Sequence, residues 1–359
     1  MADRGGHSFL PGTSEVHPSV LAAMIHSEPG NPPGLTAEPS EPLKALFRTT
    51  RQVMLVACSA TGMMEAAIRG GVEERVLVVI GGSDGERFAQ VAQACGKDVV
   101  RAMVPAGRTL EAEHLVQFLD GPEVDAVALV HSESSTGSLT PLEELARVVR
   151  SRKDVRLLVD AAGSIGGCPV ETDLWQLDFA FTCSDQALAL PPGLALGVAS
   201  DRLLARAGKL SGRGSYLDLV QLARSLPGDT PALLPQAAAL AVQLERIAAE
   251  GGIEARWKRH HEMLKLVEEW VLLHPEFSLL PPEGRRSWTV SCLKLPAGLS
   301  SHLIATQLAE RGWRIGTGTG DLRETTIRIG HMGDSRPAQL SELLAALAEI
   351  GNPRASSIV

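Results

Sequence analysis

Asp160 directly follows the apolar run Leu157-Leu158-Val159, which reads as a buried strand. A carboxylate there stands at the carboxyl edge of a parallel sheet, the edge where α/β proteins place their ligands. An ordinary capping or loop aspartate is the alternative. Ser59-Ala60-Thr61-Gly62 fall at a strand-to-helix junction. Free backbone N–H groups and the positive helix end attract an anion at such a junction. A plain N-cap made by Ser59 or Thr61 would account for the same residues. Cys58 and Cys183 both end apolar runs directed at this edge, with His131, Asp160 and Asp185 near it. That set would admit a thiol or metal site, but cysteine's preference for burial makes packing the simpler reading. His260-His261, beside Lys258 and Arg259, read as solvated helix surface, and His331 as structural.

The elements that must position these groups follow a βα pattern. Apolar runs at Val53 to Ala57, Val76 to Ile80, Val99 to Val104, Val124 to Val130, Val155 to Val159 and Phe179 to Cys183 predict strands. Helical stretches such as Gly62 to Gly70 and Pro141 to Arg150 separate them. Short apolar runs alternating with helices indicate a parallel sheet covered on both faces. Leu194 to Ala199 reads as an edge strand returning antiparallel. From about residue 230 the pattern changes to helices at Pro235 to Glu250, Glu254 to His274 and Ser301 to Arg311, with strands at Thr289 to Leu295 and Thr326 to Ile329. The expected organisation is an N-terminal extended arm over residues 1–42, a large α/β domain over 43–250 and a small α+β domain over 251–359. Pro29, Pro32, Pro33, Pro39 and Pro42 argue against regular helix in the arm.

Composition narrows the function classes. The net charge of -8, with no basic run, offers no footprint for nucleic acid. No apolar stretch approaches the roughly 20 residues that span a bilayer. The first residues lack a signal-peptide hydrophobic region, so a cytoplasmic location is expected. Five scattered cysteines make neither a disulfide framework nor a zinc spacing.

Several separate motifs resemble the class V aminotransferases, closest to the alanine/serine–glyoxylate type, from Phe9 to about Ile350. They are Phe9-Leu10-Pro11-Gly12 with Glu15-Val16-His17-Pro18, Val130 to Gly137, Val159 to Gly167, Thr182 to Leu188 before Pro191-Pro192-Gly193, and Ile327 to Gly333. The resemblance implies the fold of fold type I pyridoxal-phosphate (PLP) enzymes and a homodimer whose pocket is completed across the two-fold axis. It implies that Asp160 pairs with the pyridinium nitrogen and that Ser59, Ala60 and Thr61 form the phosphate cup. Ser134 would approach the ring oxygen, Ala162 and Asp185 would lie against the cofactor, and Arg328 would clamp a substrate carboxylate.

The same alignment of motifs exposes departures. Where the family has its Schiff-base lysine this chain has Gln186, whose delocalised amide nitrogen is neither nucleophile nor useful base. Asp84 falls where the family has an aromatic that stacks on the ring, and Asp185 replaces a glutamine. Leu233 falls on a threonine that reaches the neighbouring subunit's phosphate, and Ala60 on a glycine. The arm lacks the family's Gly-His-Arg stretch and has Gly30-Asn31-Pro32-Pro33-Gly34 nearby. Lys44, Lys97, Lys153, Lys209, Lys258, Lys265 and Lys294 all fall away from the Asp160 pocket. Two added carboxylates oppose a phosphorylated ligand. The expectation is therefore a homologue unable to perform conventional transamination, with no covalently attached PLP or no PLP at all. It would be a degenerate binding or partner protein, or a repurposed enzyme acting on a small carboxylate. The competing expectations are an aminotransferase holding PLP non-covalently and a subunit paired with an active paralogue.

Overall fold

The computed structural model describes residues 6–25, 40–225 and 234–351. The chain opens with β1 (His7–Phe9), α1 (Pro18–Ile25) and α2 (Ser40–Phe47). It then alternates through β2 (Met54–Val56), α3 (Ala60–Gly71), β3 (Arg75–Ile80), α4 (Ser83–Ala94), β4 (Asp98–Met103), α5 (Ala112–Leu119) and β5 (Ala126–Val130). A hairpin of β6 (Ser132–Glu133) and β7 (Ser138–Leu139) precedes α6 (Leu142–Arg150), β8 (Arg156–Asp160), β9 (Phe179–Cys183), β10 (Ala195–Ala199), α7 (Asp201–Ala207) and α8 (Leu219–Leu222). The remainder is α9 (Leu234–Ala249), α10 (Ile253–Leu273), β11 (Ser278–Leu279), β12 (Val290–Lys294), α11 (Ser301–Glu310), β13 (Trp313–Thr317), β14 (Thr326–Gly330) and α12 (Pro337–Gly351).

Seven strands form the large sheet in the order β2-β10-β9-β8-β5-β3-β4. The run β4-β3-β5-β8-β9 is parallel throughout. Successive side chains of these strands enter opposite cores, as a two-residue period requires. Leu77, Val79, Val127, Leu129, Leu157 and Val159 pack on one face. Val76, Val78, Ile80, Ala126, Ala128 and Leu158 pack on the other. Both faces are covered, so the strands read as continuous apolar runs. The returning strand β10 is antiparallel to β9 as expected, but it is not an edge. It also pairs with β2, which closes that side of the sheet.

The arm differs from the extended segment its prolines predict. Pro18 opens α1, and Pro42 lies in the first turn of α2. A first-turn proline costs little, because its missing N–H would have no intrahelical partner there. Residues 26–39, including Gly30 to Gly34, lie outside the described residues, as does Leu233. The small sheet, β1-β13-β14-β12-β11, takes its first strand from the start of the chain. Phe9 thereby enters a core with Met263, Val267, Trp270, Ile327 and Leu344. No helix among the described residues is long and apolar enough to cross a membrane.

The polar face of α10 is solvated at Lys258 but not along the rest of the run expected to be surface. Arg256, Arg259 and His260 are all buried, while His261 stacks on Trp288. Arg256 Nη1 pairs with Asp334 at 2.8 Å, and Arg259 pairs with Glu250. Their partners come from the turn after α9 and the loop after β14, so the run Arg256 to His261 by itself gives no sign of this burial. His331 is structural as expected: it is buried, and its Nε2 lies 2.8 Å from Ser291 Oγ. Asp334→Ala would leave the Arg256 guanidinium, 1% exposed, without its nearest carboxylate. Removing one partner of a buried pair costs about 3 kcal/mol or more. A clear fall in the urea midpoint of this variant is expected.

Candidate functional site

The carboxyl ends of the strands meet one cavity of about 180 Å³. Its lining includes Ser59, Ala60 and Thr61 from the start of α3, Asp84 and Arg87 from α4, and Asp160, Ala162 and Gly163 after β8. Cys183, Asp185 and Gln186 after β9 complete that wall. No lysine is among the described residues lining it. Of the residues expected at the site, Gln186, Asp160, Ser59, Ala60, Thr61, Asp84, Ala162 and Asp185 therefore come together. Ser134 and Arg328 do not line this cavity.

The start of α3 is open to a ligand rather than self-capped. Ser59 occupies the N-cap position but makes no side-chain cap bond. The first N–H groups of a helix lack intrahelical partners and need an acceptor from elsewhere. Gly62 lets Cys58 approach: a Cβ at this position would lie 2.9 Å from Cys58 Cβ.

Asp160 is 4% exposed. Its Oδ1 accepts a 2.8 Å bond from the Ala162 N–H, and its Oδ2 meets no donor among the described residues. Burial pushes this carboxyl up to about 8, against the pull of the Ala162 N–H, and the charges of Asp84 and Glu133 add to the rise. Glu133, which sequence reasoning did not single out, is buried and accepts from the Asp84 and Gly85 N–H groups at 3.3 and 3.2 Å. Its carboxylate thus serves the start of α4, and burial together with Asp84 raises its pKa. The only hint was a carboxylate inside the Val130 to Gly137 motif. Gly82 is required beside it, since an added Cβ would collide with Glu133 and Ser135.

Asp84 also explains the fate of Ser134. Its Oδ2 accepts from Ser134 Oγ at 2.6 Å and from Ser134 N–H at 3.1 Å, which commits that hydroxyl to Asp84. Arg328 donates to the Thr317 carbonyl at 2.8 Å and the Ser134 carbonyl at 3.1 Å. It lines a second cavity of about 410 Å³ with His302, Arg323 and residues 317–320. Ser134 thus gives its hydroxyl proton to Asp84, while Arg328 commits Nε and one Nη1 donor to carbonyls and keeps further N–H groups for the second cavity.

The arm fixes the turn that carries Gln186. Ser14 N–H donates to the Asp185 carbonyl at 2.8 Å and Ser14 Oγ to the Gln186 carbonyl at 2.6 Å. Sequence reasoning missed Ser14, whose role lies in contacts 171 and more residues away. The thiol and metal alternatives find no support. Cys183 lines the cavity, but burial and the neighbouring Asp185 raise its pKa well above the ordinary thiol value. Cys58 is pushed up to about 11 by burial, and His131 down to about 4. No group of three or more metal-ligating side chains is found among the described residues.

A family model described as Aminotransferase class-V matches residues 49–323. This chain belongs to the class V aminotransferase family. An uncharacterized aminotransferase of Methanocaldococcus jannaschii is 31% identical over 96% of this chain and 93% of its own length. The soluble hydrogenase small subunit of a Synechococcus species is 29% identical over 96% of this chain and 93% of its own. The crystal structure of alanine–glyoxylate aminotransferase from a Nostoc species matches with a TM-score of 0.89 at 30% identity, over 96% of this chain and 95% of that one. The fold of this class V homologue is that of the fold type I PLP enzymes.

The raised Asp160 pKa has a defined consequence for stability. From the ordinary 3.8 to about 8, the folded protein holds a proton that the unfolded chain has lost. Stability therefore falls as pH rises through that window. The lowered histidines act in the opposite sense and only towards acid, below their ordinary value of 6.5. Urea midpoints measured between about pH 7 and about pH 8.5 should fall for the natural chain and stay flatter for Asp160→Asn. An equal slope in both proteins would refute the assignment.

Proposed function

We propose that this class V homologue binds a small ligand in its inherited pocket without lysine-dependent amino transfer. It acts as a degenerate binding or partner protein, or as an enzyme of altered chemistry. The observation that carries this reading is Gln186 in the cavity beside Asp160, with no lysine among the described lining residues. An amide cannot condense with an aldehyde, and it cannot shuttle a proton as an amine does.

The residues fit PLP only in part. Asp160 suits a pyridinium nitrogen, and the open start of α3 suits a phosphate. Bound PLP supplies an electron sink, and a carboxylate at its ring nitrogen keeps it one. Asp84 offers no stacking face, Asp185 adds a negative charge, and Gln186 offers no point of attachment. Covalent attachment does not fit this wall. The unpartnered Asp160 Oδ2 and the uncapped α3 favour one second reading, an aminotransferase that holds PLP non-covalently. A small carboxylate bound at Arg328 would sit in the second cavity beside Arg323 and His302.

The remaining parts of the proposal rest on the family and on composition. They are a homodimer whose pocket is completed by the partner subunit, and a cytoplasmic location. The relative named as a hydrogenase small subunit supports the thought that some members of this fold serve as subunits of other assemblies. A heteromer with a lysine-bearing paralogue is one such arrangement.

Purified protein should be colourless in the visible range of lysine-bound PLP, and borohydride should fix no pyridoxyl group on the chain. Gln186→Lys alone should not give robust transfer from alanine or serine to glyoxylate while Asp84 remains. A yellow, borohydride-reducible natural chain would overturn the reading. Amine transfer by the unmodified protein would decide for the non-covalent enzyme.

A further inference from the structure

We propose that the cavity beside Asp160 takes a small organic cation, a molecule carrying a primary ammonium and no phosphate, in place of a phosphorylated cofactor. This inference rests on the reading above that no covalent link forms at position 186, and it names the ligand class for that same cavity.

Three carboxyl groups line the cavity, Asp84, Asp160 and Asp185, and burial keeps a proton on Asp160 up to about pH 8. Glu133 lies behind Asp84, joined to the α4 N–H groups. Arg87, an exposed residue, is the single cation among the described lining residues. The start of α3 adds roughly half a positive charge. With Asp160 protonated, Asp84 and Asp185 still outweigh both. A phosphate ester would bring about two further negative charges into this space.

The independent pointer to a ligand is Asp160 itself. A carboxyl group 4% exposed and lining a cavity keeps one oxygen without a donor among the described residues. Buried carboxylates are ordinarily paired or fully hydrogen-bonded. An ammonium, with three donors and no acceptor, takes the place of the proton that ligand-free Asp160 carries at neutral pH, releasing it to solvent, and then faces Asp84 and Asp185 as well. Asp84 keeps its place because its other oxygen holds Ser134. At about 180 Å³ the cavity is smaller than the roughly 300 Å³ at which pockets for drug-sized ligands begin, which suits a compact amine.

The test titrates the full-length protein with four probes: 1,4-diaminobutane, pyridoxamine, pyridoxal 5′-phosphate and inorganic phosphate. Calorimetry should show at least one amine binding at millimolar concentration or tighter, and about tenfold or more tighter than either phosphate compound. Asp160→Asn should weaken amine binding. The double substitution Asp84→Asn with Asp185→Asn should reverse the order, weakening the amine and strengthening pyridoxal 5′-phosphate. Asp185→Asn alone, on a half-buried turn, gives the same shift in smaller measure should the double variant fail to fold. The inference is overturned by a natural chain that prefers a phosphate compound, by no amine binding at millimolar concentration, or by amine binding indifferent to these substitutions. A colourless protein that binds no amine sinks this inference and leaves the absence of a covalent link standing. A borohydride-reducible protein sinks that prior reading instead.

Discussion

The burial of the Arg256 guanidinium constrains the site more than any other single contact. It donates to the Gly166 carbonyl at 3.2 Å, to the Ala187 carbonyl at 3.1 Å and to Asp334 at 2.8 Å. Those partners lie in the loop after β8, the loop after β9 and the loop after β14. One side chain therefore joins both loops that line the cavity to the loop that leaves the small sheet. Gln243 repeats the link, donating to the Leu188 carbonyl at 2.9 Å and to Asp334 at 3.0 Å. A buried ion pair is weak grounds for stability, because desolvation offsets much of its attraction. Its better-attested use is to specify one arrangement, and here that arrangement is the position of Asp185 and Gln186.

The other wall is organised by carboxylates. Glu133 serves the N-terminus of α4, where an acceptor is needed and negative charge is favoured. Asp84 begins the same helix and captures Ser134, which leaves the Ser134 carbonyl to Arg328. Asp84 thus does more than line the cavity: it holds the Ser134 hydroxyl and adds to the charge that raises Asp160.

Much of the fold was legible because it is local. The run Phe179 to Cys183 is a strand with every residue buried, and its apolar continuity says so. The span Pro141 to Arg150 places its apolar residues on one face and its charges on the other, and α6 follows with Pro141 at its N-cap. Illegible elements depend on distant partners. Strand β1 forms only because Trp313 to Ile315 offers an edge to His7 to Phe9. Strand β10 becomes interior only because Met54 to Val56 covers it.

The candidate site divides in the same way. Sequence alone determined the chemistry available: Asp160 after its strand, Ser59 to Thr61 before a helix, and an amide at Gln186. Strand direction then carried these positions to one sheet edge, since parallel strands share their carboxyl ends. Only the tertiary structure decided which donors and acceptors were already spent. Ser134 is taken by Asp84, two of the Arg328 donors by carbonyls, and Arg256 and Arg259 by Asp334 and Glu250. Hydrogen bonding and charge pairing are set by proximity in space, and no periodicity along the chain encodes which distant group will arrive.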